Sequence, residues 1–159
     1  MTSSPSHGPA VLQLRLIVEA EDYDAAVAFY RDTLGLTEQA AFEGEGGARV
    51  AILEAGRATL EIANPAQKRM IDEVEVGRPV SPKIRVAFEV ADSTATTAEL
   101  VAAGATLIAP PTATPWQSLN SRLEAPAGLQ ITLLQELESL EERTRRAGFG
   151  TDAERHESP

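Results

Sequence analysis

Two arginines give the clearest indication of chemistry in this sequence, because they recur 70 residues apart in similar surroundings. The segment from Arg15 to Asp22 aligns with the segment from Arg85 to Asp92, and arginine, glutamate and aspartate match at each copy. A guanidinium group is a planar fork of donors that holds a carboxylate, enolate or phosphate through two parallel hydrogen bonds. The pair therefore predicts a site for a small anion, provided that the fold brings both side chains to one surface.

The alternation of side chains along four predicted strands places both arginines on one face of a sheet. Successive side chains of a strand point to opposite faces. One face of these strands is apolar and is expected to pack on helices. The polar residues predicted on the other face are Gln13, Arg15, Glu19, Thr59, Glu61, Lys83, Arg85, Glu89, Gln130 and Thr132. A solvated sheet face explains the same pattern, and Glu61 in a cleft could simply neutralise the arginines, so these alternatives stay open.

A unit of one strand, one helix and three strands occurs twice along the chain. The first copy has predicted strands at 11–19, 36–43, 48–54 and 57–63, and a helix from Asp22 to Leu34. The second copy has strands at 84–90, 105–109, 116–124 and 129–135, and a helix from Asp92 to Ala103. The predicted fold class is α+β, with tandem βαβββ units forming a concave, mostly antiparallel mixed sheet and helices on the outside. Half of such a sheet cannot bury both faces, so the units should pack together or pair with a second chain.

The domain organisation follows from the same pattern. Residues 1–9 are predicted to be a disordered leader and residues 10–135 the folded domain, with unit one at 10–65 and unit two at 82–135. Residues 66–81 are a polar connector with at most a short helical turn. Pro110 and Pro111 are expected to break the chain between strands. Residues 136–147 are predicted to form a charged C-terminal helix, and 148–159 a flexible tail.

Charge and composition exclude several function classes. The net charge of −10 disfavours binding to nucleic acid or to an anionic membrane surface. The chain has no cysteine, and its two histidines, His7 and His156, lie in the predicted leader and tail. Zinc, copper and non-haem iron sites depend on those ligands. We therefore expect a cytoplasmic protein whose folded domain lacks the usual metal ligands and the usual general base.

Three stretches of the sequence resemble one known family. They are residues 22–36, with the pairs Phe29-Tyr30 and Leu34-Gly35, residues 86–92, and the hairpin at 115–130. Over roughly residues 11–135 the chain resembles the vicinal oxygen chelate superfamily, which includes glyoxalases, bleomycin-resistance proteins and extradiol dioxygenases. The hairpin departs from the usual Asp-Pro-x-Gly turn, since Ala125 takes the place of the aspartate.

The resemblance implies four positions at which metal-dependent members hold a divalent cation, usually through histidine, glutamine or glutamate. In this sequence those positions are Arg15, Glu61, Arg85 and Thr132. Only Glu61 is a plausible ligand, and two guanidinium groups would repel a divalent cation. We therefore expect no metal and no other cofactor, which disfavours the metal-dependent glyoxalase and dioxygenase activities.

The favoured interpretation is a metal-independent small-molecule binding protein of the glyoxalase/bleomycin-resistance type. It would hold an anionic or aromatic ligand in the concave cleft and, as often in that branch, form a homodimer. The predicted ligand-binding residues are Gln13, Arg15, Glu61, Arg85, Trp116 and Thr132. Trp116 and Phe42 would add stacking area, although covering the hairpin explains Trp116 slightly better.

Two enzymatic alternatives stay open, and whether the chain is an enzyme is undecided. The first is a metal-free lyase or isomerase acting on a carbonyl compound, with Glu61 as the base and an arginine stabilising an oxyanion. Flanking arginines would weaken Glu61 as a base. The second is a divergent metal-dependent glyoxalase or dioxygenase that uses Glu61 and further ligands.

Overall fold

The computed structural model describes residues 13, 15–16, 18–59 and 61–145. The predicted leader at 1–9 and tail at 148–159 lie outside these residues. Within the described part, no helix is long and apolar enough to cross a bilayer.

The first helix begins and ends where the sequence predicts. The carboxylate of Asp22 accepts a hydrogen bond from the backbone N–H of Ala25 at 3.1 Å and caps helix α1, Tyr23–Val27. The chain continues as a π-helix over Ala28–Thr33 and ends at Gly35, which has a φ of 91° that favours glycine. Three side chains of this helix are buried: Ala26, Phe29 and Tyr30.

Two strands of the first unit form a separate antiparallel pair, β1 (Glu38–Glu43) and β2 (Arg49–Leu53). The strands predicted at 11–19 and 57–63 are wrong for the described residues, which have no regular structure there. No described strand pairs with either segment, so their backbone groups have no ladder to join. Two side chains predicted to pack on helices are exposed instead, with Leu16 at 54% and Ile62 at 90%.

The second unit has the complete predicted order of elements: β3 (Val86–Glu89), α3 (Ser93–Ala102), β4 (Thr106–Ala113), β5 (Ser118–Ala125) and β6 (Leu129–Glu136). Its four strands lie in the order β3-β6-β5-β4. The β3–β6 pair is parallel and the other two pairs are antiparallel. The protein is thus an α+β fold with a mixed, mostly antiparallel sheet, as predicted.

Strand β4 runs through the two prolines that were expected to break it. Pro110 and Pro111 lie in the middle of β4, where the register with β5 shifts between Ala109 and Thr112. A proline lacks the N–H that a ladder needs, so it is tolerated at a bulge or on an edge strand. Since β4 pairs with β5 alone, it is an edge strand and satisfies both conditions.

The apolar core lies between the four-stranded sheet and the helices. Four side chains at its centre are fully buried: Leu100 of α3, Leu123 of β5, and Ile131 and Leu133 of β6. Phe29 and Tyr30 of the first helix join this cluster. The Tyr30 hydroxyl donates to the Pro126 carbonyl at 2.8 Å, which attaches the first unit to the β5–β6 hairpin. Burial raises the pKa of Tyr30 to about 12, so this donor stays protonated at neutral pH.

Two further helices differ from the predicted bounds. The connector forms α2, Pro65–Glu75; the side chain of Asn64 caps it, and Pro65 occupies the first helical position, a typical start signal. The C-terminal helix α4 is shorter than predicted, Leu140–Thr144, because β6 extends through Glu136. A capping box between Ser139 and Glu142 fixes its start.

Candidate functional site

One face of the four-stranded sheet carries polar side chains on two adjacent strands, β5 and β6. Arg122 of β5 lies opposite Thr132 of β6, and Thr132 lies opposite Ala87 of β3. Directly paired residues point to the same side of a sheet. We call this side the polar face and define it by Asn120, Arg122, Gln130 and Thr132. The core residues lie on the other side, which confirms the predicted alternation in β6.

Arg85 lies at the polar face and is bound to it. Its Nη1 donates to the hydroxyl of Thr132, a residue that strand alternation placed on the same face. The side chain of Arg85 is half-buried and that of Thr132 is buried. Burial, and then the neighbouring charge of Arg122, lower the pKa of Arg85 below its ordinary value. Two guanidinium groups therefore lie close enough to interact on this face.

Arg122 is the most buried charged group on the polar face, with no exposed surface. Its Nη1 donates to Asp72 at 3.0 Å, to Ser81 at 2.8 Å and to Gln130 at 3.0 Å. Its Nη2 donates to Glu75 at 2.5 Å. Both carboxylates belong to α2, so the connector helix covers the face by ion pairing with a sheet arginine.

Asp72 lies on the side of α2 that faces the sheet, and its carboxylate is held in the ionised form. Burial alone would raise its pKa, but hydrogen bonds from the Ser81 hydroxyl, from the N–H groups of Ser81 and Val80, and from Arg122 lower it to about 2. Both backbone donors lie 3.0 Å from Oδ2. The carboxylate thus ties α2 both to the chain that follows it and to the sheet.

Replacing Asp72 with asparagine is expected to lower the free energy of unfolding at pH 7 by about 2 kcal/mol. Because the folded pKa is lowered to about 2, this stabilisation is complete above the ordinary pKa of 3.8 and is lost as the pH falls from there through 2. Urea unfolding from pH 7 to pH 2.5 should show the difference between wild type and Asp72→Asn shrinking. The exposed neighbour Glu73, changed to glutamine, is the control, and a pH-independent difference would contradict this assignment.

The network beneath α2 is incompletely satisfied. Within the part of the chain that the structure describes, Nε of Arg122 and Oδ1 of Asn120 are buried without a hydrogen-bond partner. Nδ2 of Asn120 donates to Glu75 at 2.6 Å, so only one half of this amide is paired. An unpaired buried polar group costs about 1–3 kcal/mol. The polar face therefore has one free donor and one free acceptor on neighbouring side chains of β5.

The structure brings together only some of the residues predicted for the site. Arg85 and Thr132 are in contact, and Glu61 is exposed but close enough for its charge to act on Arg85. Arg15 and Gln13 are exposed and hydrogen-bonded to each other at 3.1 Å. Trp116 is half-buried in the turn before β5 rather than within a strand.

Sequence reasoning missed the residues that form the centre of the face: Asp72, Glu75, Asn120 and Arg122. Asn120 and Arg122 alternate on a predicted strand, so parity pairs them with each other and with Gln130. Asp72 and Glu75 are three residues apart, the spacing of one helix face. These signals were present, but the polar composition of the connector indicated a solvated segment.

The side chains at the four positions where the family resemblance implies metal ligands do not fit a divalent cation. Arg85 places a guanidinium at one position and hydrogen-bonds to Thr132 at another. Glu61 is the sole anionic oxygen donor of the set. Across the described part of the chain, no three His, Cys, Asp or Glu side chains are grouped closely enough to hold a metal ion. The donor set favours an anion over a cation.

Two concavities lie outside the Arg85–Thr132 contact. One of about 280 Å³ lies between α1 and the β1–β2 pair and is lined by charged residues and by Tyr23 and Phe42. Another of about 330 Å³ lies beside α2 and reaches Asp72 and Ser81. This second concavity therefore borders the buried network at Asp72, where α2 is hydrogen-bonded to the segment that follows it.

Comparison with known proteins gives the family of this fold. The model of the Glyoxalase/Bleomycin resistance protein/Dioxygenase superfamily matches residues 13–133, which span both units and the connector. No curated protein matches the chain. Among solved structures, TnmS3, an antibiotic binding protein from Streptomyces sp. CB03234, is similar with 24% identity and a TM-score of 0.52, covering 81% of this chain and 99% of that one.

A glyoxalase-family protein from Bacillus cereus is similar with 18% identity and a TM-score of 0.51, covering 82% of this chain and 100% of the other. At these identities, both likenesses show the fold alone. The family assignment does not depend on them, because the family model itself matches residues 13–133. This chain belongs to the Glyoxalase/Bleomycin resistance protein/Dioxygenase superfamily.

Proposed function

We propose that this protein binds a small anionic or aromatic molecule on the polar face without a metal ion. The observation that supports this most strongly is the half-buried guanidinium of Arg85, held by Thr132 where metal-dependent relatives are expected to have a ligand. A guanidinium fixed by one hydrogen bond keeps other N–H groups free for a carboxylate, enolate or phosphate. Its partial burial strengthens such a contact, because water competes less for it.

The proposed site is centred on Arg85 and Thr132, with Glu61 at its exposed edge. Roles for Arg15, Gln13 and Trp116 in binding stay predictions from the sequence. TnmS3, an antibiotic binding protein, has the same fold, which supports a small-molecule binding role for this chain.

A metal-free lyase or isomerase with Glu61 as base is the second candidate function. The charge of Glu61 acts on Arg85, so a base and an oxyanion-stabilising cation would lie in one neighbourhood. Because Glu61 is exposed, a bound substrate would have to exclude water from it. Binding without chemical change needs no such closure, and we therefore favour it.

We also propose that the chain acts as a homodimer. Several apolar side chains that the strand pattern predicts to be inward-facing are exposed in the single chain, namely Leu16, Val18, Ile62 and Ile84. Exposed apolar surface of this kind favours contact with another protein. A second copy pairing along these segments would cover it.

A cytoplasmic location stays a prediction from the sequence.

A thermal-shift screen followed by recovery of the ligand tests the proposed function. Chelator-treated protein would be mixed with benzoate, isophthalate, phenylphosphonate and peptide antibiotics. We expect at least one aromatic acid or antibiotic to raise the melting temperature, because a ligand that binds only the folded state stabilises it. Mass spectrometry of the recovered ligand separates the candidates: an unchanged molecule supports binding, and a product supports the enzyme. No stabilisation by any compound would contradict both.

A further inference from the structure

The helix α2 is attached to the sheet in an unusual way. Of its eleven residues, the two that are fully buried are Asp72 and Glu75, both charged. A helix that packs on a sheet normally buries an apolar stripe. Here the apolar neighbours Ile71 and Val74 are only half-buried. The contact of α2 with the polar face therefore depends mainly on carboxylate–guanidinium pairs.

Such an attachment contributes little net stability compared with an apolar contact of the same size. Taking charges out of water costs several kcal/mol for each ion, and ion pairing repays this only when the geometry and the remaining hydrogen bonds are good. Beneath α2 they are incomplete, because Nε of Arg122 and Oδ1 of Asn120 find no partner among the described residues. Burying this network therefore costs free energy that the attachment of α2 only partly offsets. We infer that Arg122 has a further role besides holding the helix.

The Nε atom of Arg122 indicates which kind of ligand group this role requires. Glu75 meets Arg122 at Nη2 only, and Asp72 meets it at Nη1. One carboxylate can accept from Nε and Nη2 together in the two-pronged arrangement that guanidinium groups favour. A ligand acid placed there would satisfy the orphaned donor that α2 leaves unpaired.

Arg122 and Arg85 are neighbours on the polar face. Thr132 links them, since it lies opposite Arg122 in the sheet register and accepts a hydrogen bond from Arg85. The charge of Arg122 acts on Arg85. A ligand with two acidic groups would engage both guanidinium groups and relieve their mutual repulsion.

We propose that Arg122 is a second anion-binding position, that the ligand is a dianion, and that Asp72 and Glu75 of α2 occupy this position until the ligand displaces them. This inference rests on the proposed function, because Arg85 supplies the first position. Helix α2 then acts as a lid whose own carboxylates compete with the ligand. The concavity beside Asp72 and Ser81 borders the lid at the end where it is tied.

Changing Glu75 to glutamine tests the competition. The variant keeps the size of the side chain and removes one competing charge, and Asn120 can rotate so that its free oxygen accepts from the new amide. We expect isophthalate to bind about five- to tenfold more tightly than to wild type, and benzoate, with one acid, to gain less. Glu73→Gln is the matched control, because Glu73 is an exposed glutamate of the same helix. Its affinity for both acids should equal that of wild type.

Hydrogen exchange in the wild-type protein tests the lid independently of any variant. Saturating isophthalate should accelerate exchange of the backbone amides at 68–76 and slow exchange in β5. If isophthalate binds while α2 exchange and the affinity of Glu75→Gln stay unchanged, the lid is overturned and the proposed function survives. If neither protein binds isophthalate or any acid of the panel, the proposed function fails and the lid fails with it.

Discussion

Replacing Arg122 with methionine is expected to lower the free energy of unfolding by about 3 kcal/mol. The substitution leaves two buried carboxylates, Asp72 and Glu75, without their cation, and breaking a buried pair in this way typically costs 3–5 kcal/mol. The lower end applies because α2 can move away and return its carboxylates to water. Urea unfolding at pH 7 measures the loss, and hydrogen exchange should show α2 released.

Two further variants make this result specific. Arg69→Met removes an exposed arginine from the same helix and should change stability by less than about 0.5 kcal/mol. Adding Glu75→Gln to Arg122→Met should restore part of the loss, because one unpaired charge disappears with it. A loss below about 1 kcal/mol for Arg122→Met, with α2 still protected, would contradict the ionic attachment of the helix.

Replacing Arg85 with alanine is expected to weaken the binding of benzoate by about 10- to 100-fold. Hydrogen bonds to charged groups contribute about 1.5–3 kcal/mol, which converts to that range of affinity. The stability should fall much less, by about 1 kcal/mol, because the guanidinium is half-buried and in the described residues its one hydrogen bond is to Thr132. Titration calorimetry and urea unfolding of the same preparation give both quantities.

The comparison variant is Lys83→Ala. Lys83 is exposed and close to Arg85 in sequence, so its removal changes the net charge equally and leaves Arg85 and Thr132 in place. It should weaken benzoate binding by no more than about twofold at physiological salt, since exposed charges are screened there. If Arg85→Ala loses stability but binds benzoate as well as wild type does, Arg85 is a structural residue.

The second unit was predictable because local signals and long-range pairing agree there. Asp92 caps α3 as its type indicates, and the alternation in β6 places Ile131 in the core and Thr132 on the polar face. Alternation also placed Arg85 on the same face as Thr132, and the structure shows these two side chains in contact. The same reasoning failed for 57–63, because alternation shows which face a side chain would take but not whether a neighbouring strand is present.

The burial of Arg122 could not be read from the sequence. Alternation places it on the polar face, but whether it is exposed depends on what covers that face. The cover is α2, whose composition is typical of a solvated helix, and whose carboxylates become buried only through a contact about 50 residues away in the chain. Charged residues are rarely fully buried unless they are paired, so the sequence alone favoured exposure for each of them.

Titration of metal-stripped protein with benzoate, followed through the side-chain Nε–H resonance of Arg85, shows whether this guanidinium binds an anion without a metal ion. Anion binding by the guanidinium predicts a saturable shift of that resonance with one site, unchanged when Zn²⁺ is added back. A shift that appears only after metal is restored, or that never saturates, would contradict metal-independent binding at Arg85.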